Sequence, residues 1–345
     1  MSINNISVPL EKRISCFIRL GQLISSLGEE EKATLARRAQ YENAWFTESS
    51  LNTALSSLTS MLNEESIVNF ILSYPELNQT RTPKNVAVVM AGNIPAVGFH
   101  DMMCVLLSGH LLQAKLSKSD TVLTSFLLNK IQDIEPLFKP LIQIAERLAG
   151  MEAVICTGSD NSARYFESYF GKYPHIIRKN RTSVALLNGD ESETDLAKLG
   201  NDIFTYFGLG CRNISKVFVP QDYDITKLID TFEPWSFVIN QHKYANNYTY
   251  NRAIMLMNQE QFLDNNFFLI KESPNLHSPI SVLYFERYSN KSLVINHLEE
   301  VSDKIQCLVS NNPDIKNRIP FGQTQNPTIS DFADGVDTMK FLLSL

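Results

Sequence analysis

Among the side chains of this sequence, Cys211 has the type and neighbours that best suit a nucleophile. It lies in Gly208-Leu209-Gly210-Cys211-Arg212-Asn213, between small and polar residues. A reactive thiolate needs access and a lowered pKa; flanking glycines clear the approach and Arg212 adds positive charge. A structural cysteine in a tight turn is the alternative. The other four cysteines, Cys16, Cys104, Cys156 and Cys307, sit in apolar runs and read as small buried hydrophobes. An odd, scattered set without a CxxC pair argues against a disulfide framework or a zinc site. It suits a reducing cytoplasm, and no metal is expected.

Three other segments can carry chemistry. Ala91-Gly92-Asn93-Ile94-Pro95 follows an apolar run ending at Met90 and precedes a helical pattern from Val97. A glycine there lets the chain turn at the mouth of a parallel sheet, where α/β folds bind ligands. The Asn93 amide can then donate to a developing oxyanion, or it caps the helix. Lys115, in Gln113-Ala114-Lys115-Leu116-Ser117-Lys118, ends another apolar run. It places an ammonium where a nucleotide ribose or phosphate would lie, or it is a solvated strand end. Thr157-Gly158-Ser159-Asp160 again joins a strand pattern to a helical one. Its hydroxyls and helix-terminal amides make a phosphate cradle, although Ser159 or Asp160 also serves as a plain N-cap.

These segments need elements to hold them. Apolar spacings of three and four from about Leu10 to Tyr74 predict a helical front section, with a polar, proline-bearing linker at 77–84. Beyond it, strands are expected at 85–90, 111–116, 153–157, 183–187, 216–219, 253–257, 280–285 and 305–309. Helical patterns at 97–107, 121–131, 162–170 and 196–207 lie between many of them. That alternation predicts an α/β fold with largely parallel sheets.

Composition limits the function classes. With 345 residues, 44% hydrophobic and 20% charged, the chain has length for two domains and apolar surface to order them. A net charge of -6 without a basic stripe speaks against nucleic-acid binding. The longest apolar run, near 102–107, is far below the ~18 residues of a membrane span, and residues 1–10 lack the pattern of a secretory leader.

Taken in order, Asn-x-Pro, strand-end Lys, Thr-Gly-Ser and Gly-x-Gly-Cys resemble the landmarks of the aldehyde dehydrogenase superfamily. Gly92-Asn93-Ile94-Pro95, Leu107-Ser108-Gly109-His110, Ala114-Lys115-Leu116-Ser117 and Phe207-Gly208-Leu209-Gly210-Cys211-Arg212-Asn213 look most like its acyl-CoA reductase branch, the LuxC-type fatty acyl-CoA reductases. Pro320-Phe321-Gly322-Gln323-Thr324-Gln325 and Asp331-Phe332-Ala333-Asp334-Gly335 are similar to that branch too. The resemblance implies a Rossmann-like cofactor domain with the helical front section (1–181), a second α/β catalytic domain carrying the cysteine (182–318), and a return to the first domain (319–345). It implies NAD(P)H-dependent reduction of an acyl-CoA to an aldehyde through a thioacyl group on Cys211. Asn93 and the Cys211 backbone amide would bind the oxyanion. Lys115 would touch the adenosine ribose or its 2'-phosphate, with Ser117 further along the same edge, and Thr157, Gly158 and Ser159 would lie by the pyrophosphate. NADPH is the expected cofactor, with NADH open, and CoA enters as part of the substrate. A cytoplasmic homodimer or larger oligomer is expected.

The departures also inform. Where hydrolytic relatives carry Glu-Leu-Gly-Gly, this chain has Arg178-Lys179-Asn180-Arg181-Thr182-Ser183, without a carboxylate to activate water. That suits a reductase. The basic residues there either contact phosphates of CoA or the dinucleotide, or form a solvated turn. The usual acidic contact to the nicotinamide ribose is missing as well. Asn275-Leu276-His277-Ser278-Pro279 stands nearest, which leaves His277 or Glu272 to replace it. Phe232, Trp235 and Phe237 either line an acyl tunnel or pack a core. Two other readings stay open, a reductase of acyl phosphates or carrier-bound acyl groups, and a non-catalytic member that only binds nucleotide.

Overall fold

The computed structural model describes residues 7–345; the first six residues of the stretch read for a leader lie outside the described residues. The chain divides into two compact units, one running up to Asn180 and resuming at Pro327–Leu345, the other Arg181–Asn326.

In the first unit, helices α1 (Leu10–Ser25), α2 (Glu29–Glu42), α3 (Glu48–Met61) and α4 (Glu64–Leu72) form the front section. Phe17, Leu20 and Ile24 make the buried stripe of α1, and Phe17 meets Phe99 and Phe138 edge-on. Thr47 and Asn63 cap α3 and α4 through their side chains. Then come β1 (Asn85–Val89), α5 (Phe99–Ser108), β2 (Leu111–Lys115), α6 (Val122–Ile134), β3 (Ile142–Ile144), β4 (Ala153–Thr157), α7 (Asp160–Phe170) and β5 (His175–Arg178). The five strands are parallel, in the order β3-β2-β1-β4-β5. The order reverses between β1 and β4, which is where such sheets open a ligand crevice. Helix α5 carries the long apolar run and is buried on every side from Met102 to Leu107, as its sequence requires.

The C-terminal helix, Thr338–Leu343, is tied back onto this unit by polar contacts, one of them from Arg81 to the Leu343 carbonyl at 3.2 Å. His110 Nδ1 accepts from the Lys84 amide at 3.0 Å, so Nε2 carries the proton and donates to the Leu342 carbonyl at 2.8 Å. Asp101 on α5 pairs with Arg178, whose Nη2 donates to Asp101 Oδ1 and to Thr338 Oγ1, both at 2.9 Å. Arg178 is 3% exposed. It lies inside the unit at the end of β5, held by Asp101 and Thr338, and is neither a solvated turn residue nor a surface cation.

In the second unit, β6 (Thr182–Leu186), α8 (Glu193–Phe204), β7 (Ile214–Pro220), α9 (Lys227–Thr231), α10 (His242–Met257), β8 (Leu263–Asp264), β9 (Leu269–Glu272), β10 (Val282–Tyr288), α11 (Lys291–Glu300) and β11 (Ile305–Val309) succeed one another. Their sheet has the order β11-β6-β7-β10-β9-β8, parallel except for the short β8–β9 pair. Phe204, Phe232, Phe267 and Phe268 are buried and packed ring to ring, with Trp235 stacked on Phe204. Phe232 and Trp235 therefore belong to a core, while Phe237 is 54% exposed.

One expected strand is corrected. Residues 253–257 form the last turns of α10. Tyr244, Tyr248 and Met255 face inward at helical spacing, and five apolar residues are too few to show that period by themselves.

Two outcomes follow. Arg178→Met leaves Asp101 buried without its cation and should cost about 3–5 kcal/mol, read as a lower urea midpoint at unchanged slope. The Asp101→Leu/Arg178→Met double variant should regain much of that loss. Burial also lowers the His110 pKa. A histidine depressed in the fold contributes stability above its unfolded value of about 6.5, and this contribution is lost as pH falls below it. His110→Gln should flatten the decline in stability from about pH 7 to 5; an unchanged slope would mean that His110 contributes nothing to it.

Candidate active site

The carboxyl ends of the first sheet are level with one another. Val89 on β1 is in register with Lys115 on β2 and with Cys156 on β4, and Thr157 with Arg178 on β5. Asn93, Lys115, Ser117, Thr157, Gly158 and Ser159 thus all follow or end strands at one edge of one sheet.

The Gly92–Ala96 turn passes close over the next strand's exit. A Cβ at Gly92 would sit 2.4 Å from Ser117 Oγ, so only glycine fits. Asn43, directly after α2, donates from Nδ2 to the Gly92 carbonyl at 3.3 Å and to the Ser119 carbonyl at 3.4 Å. Helix α5 begins only at Phe99, with Gly98 as its N-cap. Asn93 is therefore not the helix cap, and it is exposed at the carboxyl end of β1.

Lys115 is half-buried and donates from Nζ to the Glu146 carbonyl at 2.6 Å. Ser117 Oγ accepts from the Ser119 amide at 3.2 Å. At the third turn, Ser159 caps α7 by accepting from the Ser162 amide at 3.3 Å. Gly158 permits close packing there, since a Cβ would lie 2.9 Å from Ser162 Cβ. The plain capping role of Ser159 is thus realised, and it leaves the first-turn amides of α7 at the same edge as Thr157. The rest of the basic tract is engaged: Lys179 pairs with Glu167 at 3.0 Å, and Arg181 reaches the Ile305 carbonyl at 3.3 Å.

Cys211 belongs to the second unit, in the turn between α8 and β7. It is exposed, whereas the four other cysteines are buried. Burial pushes the Cys16 and Cys156 thiols up to about 12 and raises Cys104 as well, so these favour the inert thiol. The chain reaches Cys211 through Tyr206, Phe207 and Gly208 with φ of 53°, 59° and 77°. Left-handed backbone costs a residue with a side chain about 1–2 kcal/mol, so the turn persists only if its surroundings fix it.

Asn213 fixes it from within. Buried, it accepts at Oδ1 from the Gly210 amide at 2.8 Å and donates from Nδ2 to the carbonyls of Asp202 at 3.1 Å and Thr205 at 2.8 Å. Ser183 Oγ donates to the Cys211 carbonyl at 2.8 Å. Arg212 Nε donates to the Thr324 carbonyl at 2.5 Å. Asp202, wholly buried, accepts from the Gly322 amide at 2.6 Å and from the Thr324 amide and hydroxyl at 3.0 and 2.8 Å. Burial raises its pKa, and these three bonds oppose the rise. The residues missed in the sequence are such braces, Asn43, Ser183 and Asp202. A buried aspartate on the apolar face of α8 is the one signal that pointed to any of them. Glu272, which ends β9, and His277, in the stretch after it, are both exposed.

Solved structures with this fold are aldehyde dehydrogenases and related enzymes. Aldehyde dehydrogenase 21 from Physcomitrella patens, solved with its product succinate, superposes with a TM-score of 0.70 at 10% identity, covering 98% of this chain and 85% of that one. An NADP-dependent enzyme from E. coli gives 0.64 at 14% identity over 91% and 80%. The NADP-dependent glyceraldehyde-3-phosphate dehydrogenase of Bacillus halodurans, in complex with NADP, gives 0.63 at 13% over 89% and 75%. At such identities the likeness shows the fold alone. No curated protein sequence matches significantly. Among the described residues, no helix is long and apolar enough to cross a membrane. The acyl-CoA reductase (LuxC) family profile matches residues 24–228, more than half of the chain and a span that includes Asn93, Lys115, Thr157–Ser159 and Cys211. The chain belongs to the acyl-CoA reductase (LuxC) family, whose aldehyde dehydrogenase-like oxidoreductase fold it has.

Proposed function

We propose that the protein reduces an acyl-CoA thioester to the aldehyde with NADPH, through a thioacyl group on Cys211. The observation that carries this reading is the turn at Cys211. One exposed thiol among five cysteines lies three residues past the left-handed run Tyr206–Gly208, in a turn that Asn213, Ser183 and Arg212 hold in place. A nucleophile needs access and a fixed approach, and this arrangement supplies both.

In the reading, the Cys211 thiolate adds to the thioester carbonyl, and the side chain of Asn93 and the Cys211 amide receive the oxyanion. The tetrahedral adduct collapses with release of CoA as its thiolate, which leaves the acyl group on sulfur. The donor set at the carboxyl edge of the first sheet fits a dinucleotide: Lys115 and Ser117 at the ribose or its 2'-phosphate, Thr157, Gly158 and Ser159 with the α7 amides at the pyrophosphate. When bound, the reduced nicotinamide supplies the hydride that brings the acyl carbon to the aldehyde level. Asn93 and the Cys211 amide hold the second oxyanion, and breaking the C–S bond returns the thiolate and frees the aldehyde. Residues 178–183 offer no carboxylate to activate water, which favours this outcome over hydrolysis. A cytoplasmic homodimer or larger assembly is part of the proposal.

Cys211→Ala should abolish both CoA release and covalent labelling by radiolabelled acyl-CoA; labelling that persists in this variant would sink the mechanism. Rates with acyl phosphate and carrier-bound acyl donors, measured in parallel, identify the acyl source. NADPH binding without turnover of any donor would favour a non-catalytic nucleotide binder. Asn93→Ala should lower kcat by ~100–1,000-fold, as loss of an oxyanion donor does, with little change in NADPH affinity. A variant that loses affinity and keeps kcat would move Asn93 out of the oxyanion site.

A further inference from the structure

Past Asn93 the loop is anchored by a group outside the proposed chemistry. Ala96 has φ of +56°, a left-handed conformation that alanine disfavours. Its amide donates to Asp120 Oδ2 at 2.7 Å, and the same oxygen accepts from Thr124 Oγ1 at 3.1 Å. Asp120 is 4% exposed, and its second oxygen, Oδ1, is buried without a hydrogen-bond partner.

We propose that Asp120 is a positioning residue for the reductase: its bond to the Ala96 amide holds the strained turn that presents Asn93 to the oxyanion. The inference rests on the role given to Asn93 above. Three features support it. The anchor grips the turn three residues from Asn93, at the position whose backbone most needs holding. Asn43 grips the other end of the turn, at the Gly92 carbonyl. The carboxylate also sits where its charge is costly, since burial pushes Asp120 up to about 7 despite the bonds from Ala96 and Thr124. Glu42, at the end of α2, adds to that rise; it accepts from the Thr121 and Val122 amides, both at 3.2 Å. Lys118, two residues before Asp120, is exposed.

The sign of the linkage is definite. An acid whose folded pKa exceeds its unfolded value of about 4 contributes its full stability below that value. The contribution is lost as pH rises through about 7. At neutral pH and above, Asp120 therefore weakens the fold, as functional groups often do.

The test compares Asp120→Ala and Asp120→Asn in the full chain. Asp120→Ala should lower kcat for acyl-CoA reduction by ~10–100-fold while NADPH affinity moves by less than about twofold, because the reacting group is displaced and the nucleotide donors are not. It should also speed amide exchange across residues 91–98. Asp120→Asn keeps an oxygen for Ala96, so it should restore most of the turnover and protection. It should melt above wild type at about pH 8 and lose that advantage at about pH 5. Wild-type turnover and exchange in Asp120→Ala would overturn the proposal, as would equal losses of turnover in both variants. Should the wild type reduce no acyl-CoA, the reading of Asn93 fails. The exchange experiment, which needs no substrate, still decides whether Asp120 holds the loop: unchanged exchange in Asp120→Ala rejects it.

Discussion

An exposed thiol on an immobile backbone is a demanding combination, and in the second unit it depends on one buried carboxamide. Helix α8 ends at Phe204, and its last carbonyls need donors that no further turn supplies. Asn213 provides them from nine residues downstream, and its oxygen simultaneously accepts from Gly210. The helix end and the Cys211 turn thereby become a single closed structure. The left-handed run Tyr206–Gly208 is the geometric consequence, since the chain must double back for Asn213 to reach those carbonyls. Asp202 lies at the same helix end and binds the Gly322–Thr324 backbone, so the distant end of the unit is fastened at this point too.

The first unit solves a similar problem with different groups. There the turn that bears Asn93 is gripped at Gly92 by Asn43 and at Ala96 by Asp120. In both turns, side-chain amides or carboxylates stand in for secondary-structure partners, and each turn sets an exposed side chain, Asn93 or Cys211, beside left-handed backbone. These are also costly contacts. Asp120, Asp202 and the Asp101–Arg178 pair all remove charge from water, and a hydrophobic replacement of such a pair often does no worse in stability. Their common feature is that each fixes a chain reversal or a returning segment: the Asn93 turn, the 320–326 stretch, and the C-terminal helix through Thr338.

The parts of this arrangement legible in the sequence are those written in local pattern. The buried strand Ala153–Thr157 is an apolar run closed by turn residues and is expected at that position; the edge strand Ile305–Val309, only partly buried, is expected at its position too. Gly92 and Gly158 mark real strand exits for a steric reason that the sequence implies. The short strands Ile142–Ile144 and His175–Arg178 carry too few residues for a period to show. Helix α10 hid its inward face among asparagines and tyrosines, so only its apolar last turns stood out. The braces were illegible for a different reason. Asn43 and Gly92, or Ser183 and Cys211, are linked across 49 and 28 residues, and nothing local to either residue announces its partner.

The stretch 178–183 shows how such braces bear on chemistry. Every side chain there with a long reach is committed: Arg178 to Asp101, Lys179 to Glu167, Arg181 to the carbonyls of Ser302 and Ile305. Thr182 hydrogen-bonds Ser215, and Ser183 joins the Cys211 carbonyl to the Cys307 amide. On the proposed reading, the segment that stands where hydrolytic relatives carry a base for water supplies scaffolding, and its Ser183 hydroxyl steadies the peptide of the proposed nucleophile. Under the proposed reading that exchange has a direct consequence. A thioacyl group without a nearby base persists longer against water, and the longer it persists, the more completely reduction can outcompete hydrolysis.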